Sequence, residues 1–319
     1  MDRDVHLVID PIRLALSVPH ALALLARDRP DAIFTTGGYV AIPVLLAATI
    51  LRIPVLLWEG NVVPGRSVRA TAGLASAIAV SYGGTCVALG TRRPCLETGT
   101  PIRGTRDVDR VAARELLGIP PGGRVLLVFG GSQAVKRFNV AVAEALPRLV
   151  ERVHLIHVTG ESGYAPALAA REALPPELRP RYRPEPFLRD EMLTVLAAAD
   201  LVVGRAGSST LAEVTAMGLP MVVVPYPHAG GHQRANALVL AEAGAARLVE
   251  DDAFDAAALL AAAALLDDPA AHAVMAAAAR ALARPAAANA VAGLLVALAE
   301  RRPLPDASTI DRISRGVGA

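Results

Sequence analysis

Apolar positions along this chain fall into short runs that end in glycine turns and then give way to helical spacing. Ala32 to Thr35 leads into Gly37-Gly38 and a helix through Ala48, and Val125 to Phe129 leads into Gly130-Gly131-Ser132 and a helix to about Arg152. Leu201 to Val203 leads into a helix that runs to Met217 and stops at Gly218, after which Met221 to Val224 reads as the next strand. Val5 to Ile9 is the earliest strand candidate, and Ala-rich helices near 255 to 266 and 270 to 299 close the chain before a polar tail. Strands alternating with helices of this length predict an α/β protein with parallel sheets covered on both faces.

The turn-rich segment Pro101 to Asp109 interrupts this series and predicts a boundary between two doubly wound units that face each other across a cleft. A length of 319 residues accommodates two such domains, each with its own core. Only 3% of the residues are aromatic, so both cores must be built from Ala, Val, Leu and Ile.

A formal charge of +2 argues against a nucleic-acid partner. The apolar region Val40 to Trp58 is broken by Pro43, Arg52 and Pro54, and so falls short of the ~18 apolar residues of a spanning helix. Met1-Asp2-Arg3-Asp4 lacks the basic-then-apolar pattern of a signal peptide. Cys86 and Cys95 form neither a disulfide framework nor a zinc spacing, and a reduced cytoplasmic setting is expected.

The stretch VGRAGSSTLAE, Val203 to Glu213, carries the first chemistry. A glycine turn feeding a helix N-terminus offers unpaired N–H groups and partial positive charge to a diphosphate. Ser208, Ser209 and Thr210 would add donors, and Glu213, one turn further, would accept from the hydroxyls of a ribose. Thr210-Leu211-Ala212-Glu213 also matches a capping box, which needs no ligand. Downstream, Val224 to Ala237 orders two glycines and several polar side chains, as expected of a surface that binds a polyhydroxylated ligand.

Arg205 through Glu213, Gly218-Leu219-Pro220, Pro225-Tyr226-Pro227-His228, His232-Gln233 and Asn236-Ala237 together resemble the MurG family of glycosyltransferases. Gly37-Gly38-Tyr39-Val40, Glu59-Gly60-Asn61, Gly99-Thr100-Pro101-Ile102-Arg103 and Gly130-Gly131-Ser132-Gln133 extend the resemblance, in family order, over nearly the whole chain. Members of that family are membrane-associated. They add N-acetylglucosamine from its UDP donor to undecaprenyl-diphospho-muramoyl-pentapeptide, with inversion.

The resemblance implies a GT-B fold, with residues 1–104 as a partial acceptor and membrane-side domain and 105–285 as the UDP-sugar domain. Residues 286–319 would form a C-terminal helix and tail that packs back on the first domain. It implies that Ser132, Gln133, Ser209 and Thr210 lie near the diphosphate, that Arg103 faces the nucleotide, and that Phe187 and Leu188 flank the uracil. Glu213 would hold the ribose, while His232, Gln233 and Asn236 would read sugar hydroxyls and phosphates. Core packing explains Phe187 and Leu188 equally, and a solvated linker charge explains Arg103. Glu59, Asn61 and Tyr39 are the acceptor-side candidates for catalysis.

No Asp-x-Asp motif lies near the donor loops, so neither a metal nor another cofactor is expected. Partners would be UDP-N-acetylglucosamine and the undecaprenyl-linked acceptor, at the cytoplasmic face of a bacterial plasma membrane. Ile12, Arg13, Leu14, Leu16, Arg66 and Arg69 are candidates for the peripheral contact.

Departures from the family are equally specific. The Gly-Gly-Thr-Gly-Gly-His loop that would supply the base is missing, His6 and His20 do not sit on glycine turns, and the residues flanking Glu59 are Trp58 and Gly60. The chain is therefore expected to start inside a longer gene. Two alternatives stand beside the expected transferase: a GT-B enzyme with another acceptor, and a catalytically impaired protein that binds nucleotide sugar.

Overall fold

The computed structural model describes residues 3–104, 108–130 and 136–317, with side chains of the first helix described from residue 16. Contacts divide the chain into two compact units, residues 1–102 with 286–319, and residues 103–285.

The first unit begins with helix α1 (Arg3–Asp28), followed by β1 (Ile33–Thr35), α2 (Ile42–Leu51), β2 (Val55–Glu59) and α3 (Arg66–Thr71). Next come β3 (Ala77–Val80), α4 (Gly84–Leu89) and β4 (Cys95–Glu97). The strands form a four-stranded parallel sheet in sequential order, β1-β2-β3-β4. Val5 to Ile9 lies within α1 rather than in a strand. A short apolar run cannot by itself separate strand from helix, and here Ala21 and Leu25, one turn apart, bury against Leu45, Ala47 and Ala48 of α2.

The second unit comprises α5 (Arg110–Leu116), β5 (Val125–Phe129), α6 (Lys136–Val150), β6 (His154–Val158), α7 (Glu161–Glu172) and β7 (Tyr182–Glu185). It continues with α8 (Met192–Ala198), β8 (Leu201–Gly204), α9 (Ser208–Ala216), β9 (Met221–Val223), α10 (His232–Glu242) and β10 (Ala246–Leu248). Helices α11 (Ala256–Ala263) and α12 (Pro269–Leu282) complete it. Its six parallel strands run in the order β10-β9-β8-β5-β6-β7, which is the doubly wound arrangement with its topological switch between β5 and β8.

Alternation along β5 explains why the sheet is covered twice. Val125, Leu127 and Phe129 enter one core with α8, α9 and α10. Leu126 and Val128 enter the other with α6 and α11. At about 1.5–3 kcal/mol for each large apolar side chain fully buried, these two layers supply the main drive for folding this unit.

Helices α13 (Ala287–Ala299) and α14 (Ala307–Arg315) return to the first unit, where Ala290, Leu294 and Ile310 pack with Leu56, Ala77 and Ala79 of its sheet. The long helix predicted over 270–299 is thus two helices with a break that contains Pro285. Residues Pro269–Ala299 are apolar enough to cross a membrane by length and composition. Their halves nevertheless bury different faces, Ala279 in the second unit and Leu294 in the first.

The cysteines also depart from expectation. Cys86 on α4 and Cys95 at the start of β4 are joined as a disulfide, where free thiols were expected. A nine-residue spacing carries no pairing signal; the turn from α4 into β4 brings the two Cα atoms to 5.8 Å.

Candidate functional site

In the second unit the switch point leaves two strand ends side by side, Phe129 of β5 opposite Gly204 of β8. A Cβ at position 204 would stand 2.9 Å from the Phe129 carbonyl oxygen, so the close approach of the two strands requires glycine there. After β8 the chain turns into α9 with Gly207 as its N-cap, a residue that has no side chain with which to cap the helix. Thr210 is consequently the third residue of the helix, too far along for a capping box, and that alternative is ruled out. The α9 N-terminus, with Ser209 exposed and Ser208 and Thr210 half-buried, opens at the end of the sheet where doubly wound folds receive ligands.

Glu213 lies one turn further along α9. Its carboxylate is half-buried and has no hydrogen-bond or ion-pair partner among the described residues. Burial raises its pKa above the usual carboxylate range, and the charge of Arg103 opposes that rise in part. Arg103 itself donates to Asp190 Oδ1 at 3.0 Å and to the Arg189 carbonyl at 3.5 Å. It therefore ties the segment after β7 to the neighbourhood of Glu213. A half-buried carboxylate of this kind is suited to accept from two vicinal hydroxyls of a ligand.

That segment separates its two predicted contacts. Leu188 is buried in the core with Val195 and Leu196. Phe187 is 53% exposed, with the Arg189 guanidinium 5.8 Å from its ring centroid. The structure thus leaves the exposed phenyl ring as the surface on which a planar base could stack.

The segment between β9 and α10 is ordered by two side chains. Gln233 Oε1 accepts from the Ala206 N–H at 3.2 Å and from the Tyr226 N–H at 2.9 Å, joining the turn before α9 to this loop. Asn236 is fully buried and donates from Nδ2 to the Ala206 carbonyl at 3.3 Å. His232 opens α10 and is half-buried. Ser132 and Gln133 lie outside the described residues.

Arg205 was not singled out from the sequence, and it organises this region. Its guanidinium is buried, donates to the Val224 and Pro225 carbonyls, and donates to Asp251 Oδ1 at 2.5 Å. It also lies 4.8 Å over the Phe138 ring and 5.4 Å over that of Tyr226. Asp251 is distant in sequence and lacked any motif, so no sequence signal marked this pair.

The first unit gathers its own candidates at the carboxyl ends of its strands. Glu59 ends β2 and is buried; its carboxylate accepts from the Asn61 N–H at 2.9 Å, from Asn61 Nδ2 at 3.0 Å and from the Gly65 N–H at 3.0 Å. Thr85 then donates to the Asn61 carbonyl at 2.9 Å. Glu59 thus shapes the loop that presents Asn61, with its oxygens engaged. Tyr39 is 48% exposed in a short 3-10 turn that follows Gly38. Trp58 donates from its indole to the Gly99 carbonyl at 3.1 Å. Among the peripheral candidates, Leu16, Arg66 and Arg69 are exposed, while the side chains of Ile12, Arg13 and Leu14 lie outside the description.

Comparison with known proteins agrees with this architecture. Residues 125–291 match the glycosyltransferase family 28 C-terminal domain, and residues 5–80 match the family's N-terminal domain. A relative from Roseiflexus sp. (strain RS-1) is 39% identical over 275 residues, covering 76% of this chain and 62% of its own length. A second, from Desulforudis audaxviator, is 38% identical over 79% of this chain and 69% of its own length. Both carry the name UDP-N-acetylglucosamine N-acetylmuramyl-(pentapeptide) pyrophosphoryl-undecaprenol N-acetylglucosamine transferase. The crystal structure of Acinetobacter baumannii MurG superposes with a TM-score of 0.69 at 27% identity, covering 90% of this chain and 80% of that one. With parallel-sheet units of the GT-B class and a family domain over more than half of its length, this chain belongs to glycosyltransferase family 28.

Proposed function

We propose that this chain binds UDP-N-acetylglucosamine in its second unit and transfers the sugar, with inversion, to undecaprenyl-diphospho-muramoyl-pentapeptide. The observation that carries the reading is the half-buried Glu213 carboxylate, without a partner among the described residues, one turn into a helix whose N-cap is a glycine. In that reading Glu213 accepts from the ribose hydroxyls and Phe187 stacks on the uracil. The α9 N-terminus, with Ser209 and Thr210, receives the diphosphate together with Ser132 and Gln133. Arg103 balances charge on the nucleotide, and the amide of Gln233, with His232, meets the sugar and phosphate oxygens; Asn236, which donates to the Ala206 carbonyl, holds the turn before α9.

The chemistry would be displacement at the anomeric carbon. An acceptor hydroxyl attacks and loses its proton to a base while the bond to the UDP oxygen breaks. The helix N-terminus then stabilises the departing diphosphate by charge arranged in advance. Tyr39, Glu59 and Asn61 are the acceptor-side residues of the first unit, which is also the side proposed to meet the cytoplasmic face of the membrane through its exposed apolar and arginine side chains.

A second reading, a protein that binds the nucleotide sugar but transfers it poorly, is favoured by one observation. The Glu59 carboxylate is engaged by three donors and is poorly placed to take a proton. Transfer of labelled N-acetylglucosamine from UDP to the lipid-linked muramoyl-pentapeptide, measured beside UDP binding by calorimetry, separates the two. Transfer with binding supports the first reading. Binding without transfer supports the second, and loss of neither property in Glu213→Ala overturns the donor site.

A further inference from the structure

Away from the switch point, a pocket of about 580 Å³ opens between α6 and α7, over the outer part of the sheet near β6. It exists because the facing residues are small: Ala143 on α6 meets Ala167, Ala170 and Pro166 on α7, with Val140 completing an apolar wall. Such a volume lies within the range that small-molecule sites occupy. Lys136 stands among its lining residues as the one cation, and none of Arg103, Glu213 and Gln233 contributes to it.

Two polar residues of this lining are incompletely satisfied. Asn139 donates from Nδ2 to the Thr159 carbonyl at 2.9 Å, which fixes the orientation of its amide. Its Oδ1 is buried without a partner among the described residues. His157 is 1% exposed, and its Nε2 is buried without a partner among the described residues. At the other ring nitrogen, Nδ1 and the Tyr182 hydroxyl are 3.0 Å apart. The buried Tyr182 hydroxyl has no other acceptor among the described residues, so it donates to Nδ1, and Nε2 then carries the imidazole hydrogen. In the opposite tautomer Nδ1–H would donate to the phenol oxygen, leaving the hydroxyl hydrogen unmet as well as Nε2. Burial also holds the imidazole neutral, with its pKa lowered to about 3. The pocket therefore has an apolar wall, one unmet acceptor at Asn139 and one unmet donor at His157. Unmet polar atoms in an otherwise well-paired interior are the places where a ligand gains most.

We propose that the groove between α6 and α7 binds a small neutral amphiphile, whose apolar body lies along Val140, Ala143 and Ala167 and whose carboxamide or alcohol end pairs with Asn139 and His157. A carboxamide supplies both complements, its N–H to Asn139 Oδ1 and its carbonyl to the His157 Nε2–H. The exposed Lys136 of the lining would attract a carboxylate, but a carboxylate has no hydrogen for Asn139 Oδ1, so a neutral end that meets both atoms is favoured. The site is separate from the donor site and does not depend on the proposed transfer.

The test uses the full chain and four probes of one body: benzamide, benzyl alcohol, toluene and benzoate, followed by ligand-observed NMR. Benzamide or benzyl alcohol is expected to bind in the millimolar range, ~1–10 mM, as fragments of this size do. Toluene and benzoate should bind more weakly, and the His157 Nε2 resonance should move on titration with benzamide. Ala143→Phe, on the solvent-facing side of α6, fills the groove and should weaken benzamide about tenfold or more with melting unchanged. His157→Phe should abolish the preference for benzamide over toluene. Absence of binding by both neutral polar probes, tighter binding of benzoate, or indifference of binding to Ala143→Phe would each overturn the proposal.

Discussion

The side-chain oxygen of Gln233 accepts from the backbone N–H of Tyr226 at 2.9 Å, and the same atom accepts from Ala206 at 3.2 Å. One side chain on α10 thereby sets the spacing between the turn that leads into α9 and the loop that leads into α10. Gln233→Leu leaves two partly buried N–H groups unmet, at a cost of about 1–3 kcal/mol each. Calorimetric melting should show that loss, together with weaker UDP binding. Gln233→Glu retains the two acceptor bonds, so it should melt near the parent while still losing UDP affinity, because it places a negative charge beside the proposed diphosphate.

Glu213 gives a pH-dependent signature with a definite sign. Its folded pKa is raised by burial, so the folded state binds its proton more tightly than the unfolded chain does. Stability from this group is therefore complete below the unfolded carboxylate value and is lost as pH rises through the raised one. Glu213→Gln should melt higher than the parent at pH 7, and the difference should vanish near pH 3.5, about one unit below the ordinary value. UDP affinity should run the other way, falling with acidification, because the ionised carboxylate is the better acceptor for ribose hydroxyls.

His157 has the opposite linkage. Its folded pKa lies at about 3, below the ordinary value of 6.5, so the unfolded chain binds the proton first as pH falls. The stability contributed by the neutral ring is present above pH 6.5 and declines through the acid range at up to about 1.4 kcal/mol per pH unit. Denaturant titrations at several pH values should show that His157→Phe flattens the decline between pH 6 and 4. An unchanged slope would mean that the ring is not held neutral.

Arg205 joins the β9–α10 loop to Asp251 and to Phe138, and its guanidinium is buried. Arg205→Met retains the bulk but leaves Asp251 paired with Arg137 alone, at 3.1 Å, and should cost about 1–3 kcal/mol. The double variant Arg205→Met with Asp251→Asn should recover part of it in the same melting experiment.

Gly37 is held at φ +73°, and a Cβ there would stand 2.6 Å from Val68 Cγ2. Gly37→Ala should cost about 1–2 kcal/mol from the left-handed conformation alone, plus the clash. Adding Val68→Ala should relieve the clash and leave the conformational part, as melting of the pair against each single variant will show.

Much of this molecule can be read from residue order because the interactions concerned are local or periodic. Apolar runs closing on glycine turns marked β1, β5 and β8, with β9 read after Gly218, and Arg205 to Asn236 carried much of the family resemblance. Where a residue's role depends on partners distant in sequence, only the folded chain could decide it. Val5 to Ile9 lies in a helix whose later turns, at Ala21 and Leu25, bury against α2. Thr210 is not a cap because the helix begins two residues before it. Leu188 went to the core and Phe187 to the surface, although nothing in their order separates them. Cys86 met Cys95 through a turn whose direction no spacing encodes. The Arg205–Asp251 pair and the His157–Asn139 pocket likewise exist only because parallel strands bring remote segments side by side.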